Sequence, residues 1–223
     1  DFSTLSRRGA GLSMPEKSKT QRSGPIELVV DSTGLKIFGE GEWLQKKHKT
    51  KAKRKSWCKL HLGLDLTTGD IVCSDLTKDD VGDPTALPEL LDQIDAPVSR
   101  FLADGAYDGD PTRHLLVDRF GEAIEIVIPP PITAVLSPDA VHDPTPRDKH
   151  IEEIRDKGRM TWQVRSGYNH RSRGETQMGR WKTIIGPKLK ARSFPNQKTE
   201  VRIGTHILNK MNGLGRAKYE AVA

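Results

Sequence analysis

The stretch Glu27-Leu28-Val29-Val30-Asp31-Ser32-Thr33-Gly34 decides the fold prediction for this chain. Its short apolar, β-branched run is typical of a buried strand, and the polar residues after it predict that the strand ends at Asp31. The stretch Arg100-Phe101-Leu102-Ala103-Asp104-Gly105 repeats the pattern and predicts a second strand that ends at Asp104. Functional side chains of open α/β sheets gather at such strand ends, so we expect the two carboxylates to meet if the strands are neighbours.

The segments between and after these strands predict a mixed α/β sheet with flanking helices. An alternation of leucines over residues 60–66 predicts a hairpin strand, with Asp65 on its opposite, solvated face. Helices are predicted to begin at Asp83, as N-cap, and at Asp110, because each is followed by proline. Two further helices are predicted over residues 172–185 and 196–212, the second with an apolar side formed by Val201, Ile207, Leu208 and Met211.

We expect one main domain over residues 26–215. Residues 1–25 are interpreted as a lead-in, the remnant of an upstream DNA-binding region, and residues 216–223 as a tail. Residues 129–165, rich in proline at their start, are predicted to form an extended insertion before the last functional helix. The chain opens at Asp1 without an initiator Met, which indicates a fragment.

Charge is distributed unevenly along the chain, whose formal net charge is +6. Residues 1–59 carry 14 Lys/Arg against 6 Asp/Glu, residues 60–145 carry 4 against 17, and residues 146–223 carry 18 against 7. An acidic centre between basic flanks suits an enzyme that collects cations and holds a polyanion, although an uneven solvated surface gives the same counts. No segment resembles a signal peptide or a membrane span, so we expect a cytoplasmic protein without a membrane partner.

A basic run over residues 45–59 holds eight Lys/Arg and no acid. It is either a solvated loop or a segment that contacts DNA phosphates, and so long a loop in a compact domain favours the second interpretation. The candidate DNA contacts in it are Lys46, Lys47, Lys49, Lys51 and Arg54. The chain has no phosphate-binding G-x-x-x-x-G-K-S/T loop, so no nucleotide cofactor is expected, and its histidines and cysteines lack zinc spacing.

A third candidate carboxylate, Glu175, lies on a predicted helix. At about 100° per residue, Arg171, Glu175 and Lys182 share one face of that helix. Three acids brought together are sufficient to hold two Mg²⁺ (or Mn²⁺) ions, which promote phosphoryl transfer on DNA. Ser172 and Glu175 also match a capping box, in which Glu175 would fold back on its own helix terminus, and the spacing alone does not choose between the two roles.

The register Tyr168-(2)-Arg171-(3)-Glu175-(6)-Lys182 resembles the Y-R-E-K signature of bacterial insertion-sequence transposases with DDE catalysis. The segments around Asp31 and Asp104 look like those that carry the first two acids of that family. The resemblance implies an RNase H-like fold with Asp31, Asp104 and Glu175 as the catalytic, metal-binding triad. It also implies that Tyr168, Arg171 and Lys182 contact double-stranded DNA near the cut.

By this resemblance we expect a transposase that cleaves phosphodiester bonds and transfers strands, acts as a homodimer on transposon ends and target DNA, and associates with the bacterial nucleoid. Two alternatives stay open from the sequence. One is a nuclease of the same fold without strand transfer. The other is a catalytically silent DNA-binding or regulatory protein.

Overall fold

The computed structural model describes residues 24–37 and 57–215, which form a mixed sheet with helices on both faces. The strands are β1 (Ile26–Ile37), β2 (Trp57–Asp65), β3 (Ile71–Lys78), β4 (Val98–Leu102), β5 (Glu125–Val127) and β6 (Lys188–Leu189). The α-helices are α1 (Asp83–Leu91), α2 (Asp110–Phe120), α3 (Pro146–Lys157), α4 (Arg159–Arg165), α5 (Ser172–Ile184) and α6 (Phe194–Gly213). Two 3₁₀ turns cover Gly105–Tyr107 and Tyr168–Arg171. The predicted α/β class is confirmed.

The sheet has the strand order β3-β2-β1-β4-β5. The first three strands are antiparallel neighbours, and β4 and β5 run parallel to β1. Strand β1 pairs with β4 from Ile26 to Val29 and with β6 at Lys36 and Ile37, so residues 30–35 pair only with β2. Asp31 therefore lies in the middle of β1, and the prediction that the strand ends there is wrong. The chain stays extended because β2 continues to supply an antiparallel partner as far as Lys36.

Both faces of the sheet are covered. Helices α1 and α2 pack on one face through residues such as Leu87 and Leu116, while α4, α5 and α6 pack on the other through Trp162, Trp181 and Leu208. Because helices cover both faces of the sheet, the prediction that Asp65 lies on a solvated face is wrong. Asp65 is only 2% exposed, and its carboxylate accepts hydrogen bonds from Thr67 N and Thr68 Oγ1 in the hairpin turn.

Residues 129–165 are extended only in part, since α3 and α4 occupy their second half. A capping box starts α3: Thr145 Oγ1 accepts from Asp148 N, and the buried Asp148 carboxylate accepts from Thr145 N. Four hydrogen bonds to that carboxylate, from Thr145 and Ser137, hold its pKa well below the usual value even though burial acts in the opposite direction. The second half of the insertion is thus helical, whereas residues 129–145 contain no helix or strand.

Two helix predictions need correction at single residues. Gly82, not Asp83, is the N-cap of α1, and Asp83 is the first helical residue. On α6, Val201 and Leu208 are buried as predicted, but Ile207 and Met211 are 41% and 39% exposed. None of the helices in the described residues is both long enough and apolar enough to cross a membrane.

Candidate functional site

Asp31 and Asp104 are placed side by side by the parallel pairing of β1 and β4. The last paired residues are Val29 and Leu102, and the same register carried two residues further puts Asp31 opposite Asp104. Asp104 caps the first 3₁₀ turn, because its Oδ1 accepts a hydrogen bond from Ala106 N at 2.9 Å. Asp31 Oδ1 accepts from Ser32 N at 2.9 Å. Both carboxylates are therefore oriented by local backbone donors.

Glu175 reaches this point because α5 passes very close to β1. The contact is made at Gly174, where an added Cβ would lie 2.9 Å from Val29 Cγ1 and 3.7 Å from Asp31 Cβ. Only a residue without a side chain allows the helix this approach. The next residue, Glu175, lies at the rim of the site with 60% of its side chain exposed.

The guanidinium of Arg171 lies among the three carboxylates. Its Nη1 is 2.6 Å from Glu175 Oε1, and its Nη2 is 3.5 Å from Asp31 Oδ1 and 3.9 Å from Asp104 Oδ2. The Arg171 side chain is 17% exposed, and its Nε is buried without a hydrogen-bond partner among the described residues. One positive charge thus faces three negative charges, which leaves an excess of two negative charges at the sheet edge.

The electrostatics of Asp31 reflect this crowding. Burial raises the pKa of its carboxyl above the usual value, and the charges of Asp104 and Glu175 raise it further, whereas Arg171 and the Ser32 N–H act to lower it. Because a like charge raises a pKa only at short range, the three acids form one electrostatic unit. Because the ionised carboxylates destabilise one another, the approach of further cations stabilises them electrostatically.

The donor chemistry of this unit fits divalent cations, since hard ions such as Mg²⁺ take carboxylate oxygens. The described part of the chain, however, contains no trio of acid, histidine or cysteine side chains already close enough together to hold a metal ion. The carboxylates instead converge on Arg171. A capping role for Glu175 is not observed: α5 has no side-chain cap, and Ser172 Oγ donates to Asn169 O.

The other predicted DNA contacts have different surroundings. Tyr168 begins the 3₁₀ turn that ends at Arg171, and it is partly buried, with its ring 5.3 Å from that of Trp162. Lys182 is exposed in the last turn of α5. Lys46, Lys47, Lys49, Lys51 and Arg54 lie outside the described residues. Trp162 is fully buried, so it belongs to the core.

Sequence reasoning missed a polar network on the opposite face of β1. Ser32 Oγ donates to Asp83 Oδ2 at 3.1 Å, and Lys59 Nζ donates to Asp83 Oδ1 at 3.1 Å. His61, only 1% exposed, lies 3.9 Å from the same carboxylate, and burial lowers its pKa. The alternation that placed Leu60 and Leu62 inside also pointed to residue 61 on the other face, but nothing in the sequence showed that this face is covered.

The side chain of Asp108 is also buried. Its side chain is 2% exposed and pairs with Arg113 at 3.2 Å and Arg147 at 2.9 Å. This ion pair ties α2 to α3 beside Asp104. It requires Arg147, a residue 39 positions away in the sequence, and sequence spacing gave no sign of that contact.

A family model described as "Transposase DDE domain" matches residues 22–210. Because the match covers most of the chain, this protein belongs to the DDE transposase family. The mixed six-stranded sheet with helices on both faces is accordingly the RNase H-like fold of such catalytic domains.

Proposed function

We propose that this transposase domain cleaves DNA phosphodiester bonds and joins the resulting 3′ ends to target DNA, as the insertion-sequence resemblance implies. The observation that carries the proposal is the convergence of Asp31, in the middle of β1, with Asp104, just after β4, and Glu175 on one guanidinium. Three acids so close together disfavour one another unless cations hold them. Such an arrangement suits catalysis more than stability.

We propose Asp31, Asp104 and Glu175 as the residues that hold divalent cations, two Mg²⁺ or Mn²⁺ ions by the family resemblance. When bound, such ions activate the attacking oxygen and stabilise the leaving oxygen of a phosphodiester. The protein's own contribution is to orient the donors: the Ser32 N–H fixes Asp31, and the Ala106 N–H fixes Asp104. Glu175, the most exposed of the three, is free to approach the other two.

In this proposal Arg171 has two alternative partners. In the free protein it neutralises part of the triad, and with DNA bound it turns to a backbone phosphate, for which its planar fork of donors is suited. Tyr168 and Lys182 are proposed to contact the same strand, and the basic residues of 46–54 to hold the flanking duplex. We further propose a homodimer at transposon ends, and residues 26–215 as the catalytic unit.

The test is cleavage of end-bearing duplex DNA with Mg²⁺ by Asp31→Asn, Asp104→Asn and Glu175→Gln variants. Each is expected to abolish cutting while DNA binding in a gel shift stays near that of the wild type. Asp118→Asn, at an exposed position of α2, is the matched control and should cut normally. Normal cleavage by any of the three site variants would refute the assignment.

The products of the wild type separate the proposal from its alternatives. Joined products show strand transfer, and cleaved but unjoined products indicate a nuclease. No cutting with retained binding indicates a silent DNA-binding protein. Calorimetric titration with Mn²⁺ gives a second readout: the wild type should bind the ion, and Asp31→Asn should bind it more weakly.

A further inference from the structure

A second site, which is positively charged, lies on the flank of α5 that faces away from the three carboxylates. It is a cavity of about 490 Å³ between α5, the β2–β3 turn and the end of α6, called here the α5 cavity. Its lining residues are Leu64, Thr67, Thr68, Gly69, Arg173, Thr176, Gln177, Arg180, Met211, Asn212 and Gly215. At about 100° per residue, its α5 residues project roughly opposite to Arg171, Glu175 and Lys182.

Charge in the α5 cavity has one sign. Two arginines line it, and none of the described lining residues is acidic. The neighbouring acids of the hairpin turn, Asp65 and Asp70, are buried and already accept hydrogen bonds from Thr68 and Asn212 respectively. The carboxylates therefore face into the protein, and the guanidinium groups face the open side.

The α5 cavity contains hydrogen-bond donors that have no acceptor among the described residues. Arg173 Nη1 donates to Leu66 O at 2.6 Å, which fixes the side chain and leaves its other nitrogens available. Arg180 has no hydrogen bond or ion pair within residues 24–37 and 57–215. Gln177 is 7% exposed, and its buried Nε2 lacks a hydrogen-bond partner in the same part of the chain. An unsatisfied buried donor costs about 1–3 kcal/mol, and rotation of the amide presents it to a ligand in the cavity.

We propose that the α5 cavity binds backbone phosphates of DNA on the side of α5 opposite the proposed cutting site. Arg173 and Arg180 are seven residues apart, about 10 Å along the helix, which corresponds to roughly three nucleotide steps measured along the axis of a duplex that lies parallel to α5. This spacing suits a repeating polyanion better than a single small anion, and the apolar floor formed by Leu64 and Met211 suits the sugars between the phosphates. The inference rests on the proposed function, which supplies DNA as the substrate.

The experiment measures binding of the full chain to a short duplex of arbitrary sequence, without divalent metal, over a range of salt concentrations. Arg180→Gln carries the test, because the Arg180 side chain makes no hydrogen bond or ion pair with the described residues that its loss would break. Its affinity is expected to fall about tenfold, and the slope of log K against log salt to fall by about one. Arg173→Gln with Arg180→Gln should roughly double the loss of slope. The control for net charge is Arg202→Gln. Arg202 is exposed on α6, more than two helical turns from Met211 of the cavity, so its loss should change the affinity and the salt slope less.

Unchanged affinity and salt slope in a folded Arg180→Gln variant would overturn the proposal. So would a shift in oligomeric state by size exclusion with unchanged DNA binding, because the cavity would then receive a second protein chain. This readout is independent of cleavage. If the carboxylate variants cut normally, the proposed function fails, whereas if the arginine variants bind DNA normally, only the α5 cavity assignment fails.

Discussion

Gly174→Ala should slow DNA cleavage about tenfold while the chain remains folded. An ordinary carbon contact begins at 3.4 Å, and the new Cβ would lie 2.9 Å from Val29 Cγ1, so α5 must withdraw from β1 by about 0.5 Å (3.4 − 2.9). Overpacking of this kind costs about 1–3 kcal/mol, and alanine recovers about 1 kcal/mol of helix propensity. The expected net loss of unfolding free energy is therefore roughly 0–2 kcal/mol.

A catalytic cost is also expected, because Glu175 is the next residue and moves with the helix. Misplacement by about 1 Å can cost roughly 100-fold in rate, so half of that distance should cost about tenfold. The assay is single-turnover cleavage at saturating DNA and Mg²⁺, combined with thermal denaturation of each variant.

Two glycines provide matched controls for this substitution. A Cβ at Gly179, also on α5, meets no atom of the described residues within 4 Å, so Gly179→Ala should cut normally and gain up to about 1 kcal/mol in unfolding free energy. A Cβ at Gly204 would lie 2.5 Å from the ring of Trp181, so Gly204→Ala should lose stability but cut at the wild-type rate below its melting temperature. Wild-type cleavage by Gly174→Ala would refute the argument that this glycine sets the position of Glu175.

Ser32→Ala removes the hydroxyl that donates to Asp83 and should lower the cleavage rate a few-fold with unchanged DNA affinity. A double-mutant cycle with Asp83→Asn should show coupling between the two substitutions. Strictly additive effects on the rate would show that this hydrogen bond does not act on the site. Burial lowers the pKa of His150 to about 4, so between about pH 6.5 and 4 the unfolded chain binds a proton that the folded chain does not. The free energy of unfolding should therefore fall by at most about 3 kcal/mol as the pH drops through this range. Denaturant titrations should show a flatter pH profile for His150→Phe, whereas the exposed control His114→Phe should keep the slope. Asp108→Asn leaves two arginines without their buried carboxylate and should cost about 3–5 kcal/mol; a melting temperature within a degree or so of wild type would contradict that role.

Much of the fold could be predicted because it depends on local patterns. The runs that end near Asp31 and Asp104 mark the two central strands, and the periodicity of residues 172–185 marks α5. Their adjacency was not predicted, because the rule that functional side chains gather at strand ends brings the two carboxylates together only if these strands are neighbours. The position of Asp31 in the middle of β1 could not be predicted either, because it depends on β2 pairing with β1 beyond the point where β4 stops.

The site was harder to predict because its contacts are made between distant elements. A helical projection places Arg171 and Glu175 on one face, but it cannot show that Asp31 and Asp104 lie opposite that face. Burial of His61 was hidden for a related reason: a single strand's alternation identifies two faces, and whether both are covered depends on helices elsewhere in the chain. The hydrogen bond from Ser32 to Asp83 could not be predicted for the same reason, because it joins two elements that are distant in the sequence.

The position of Arg171 has a consequence for how this protein folds. In many small metal-binding domains the ligands repel one another until the ion arrives, so folding waits for the metal. Here a guanidinium from the same chain already offsets part of that repulsion. The chain thus carries an internal counterion, which lessens the repulsion within the carboxylate cluster before any ion is bound. If the cluster holds Mg²⁺ as proposed, folding need not wait for the ion.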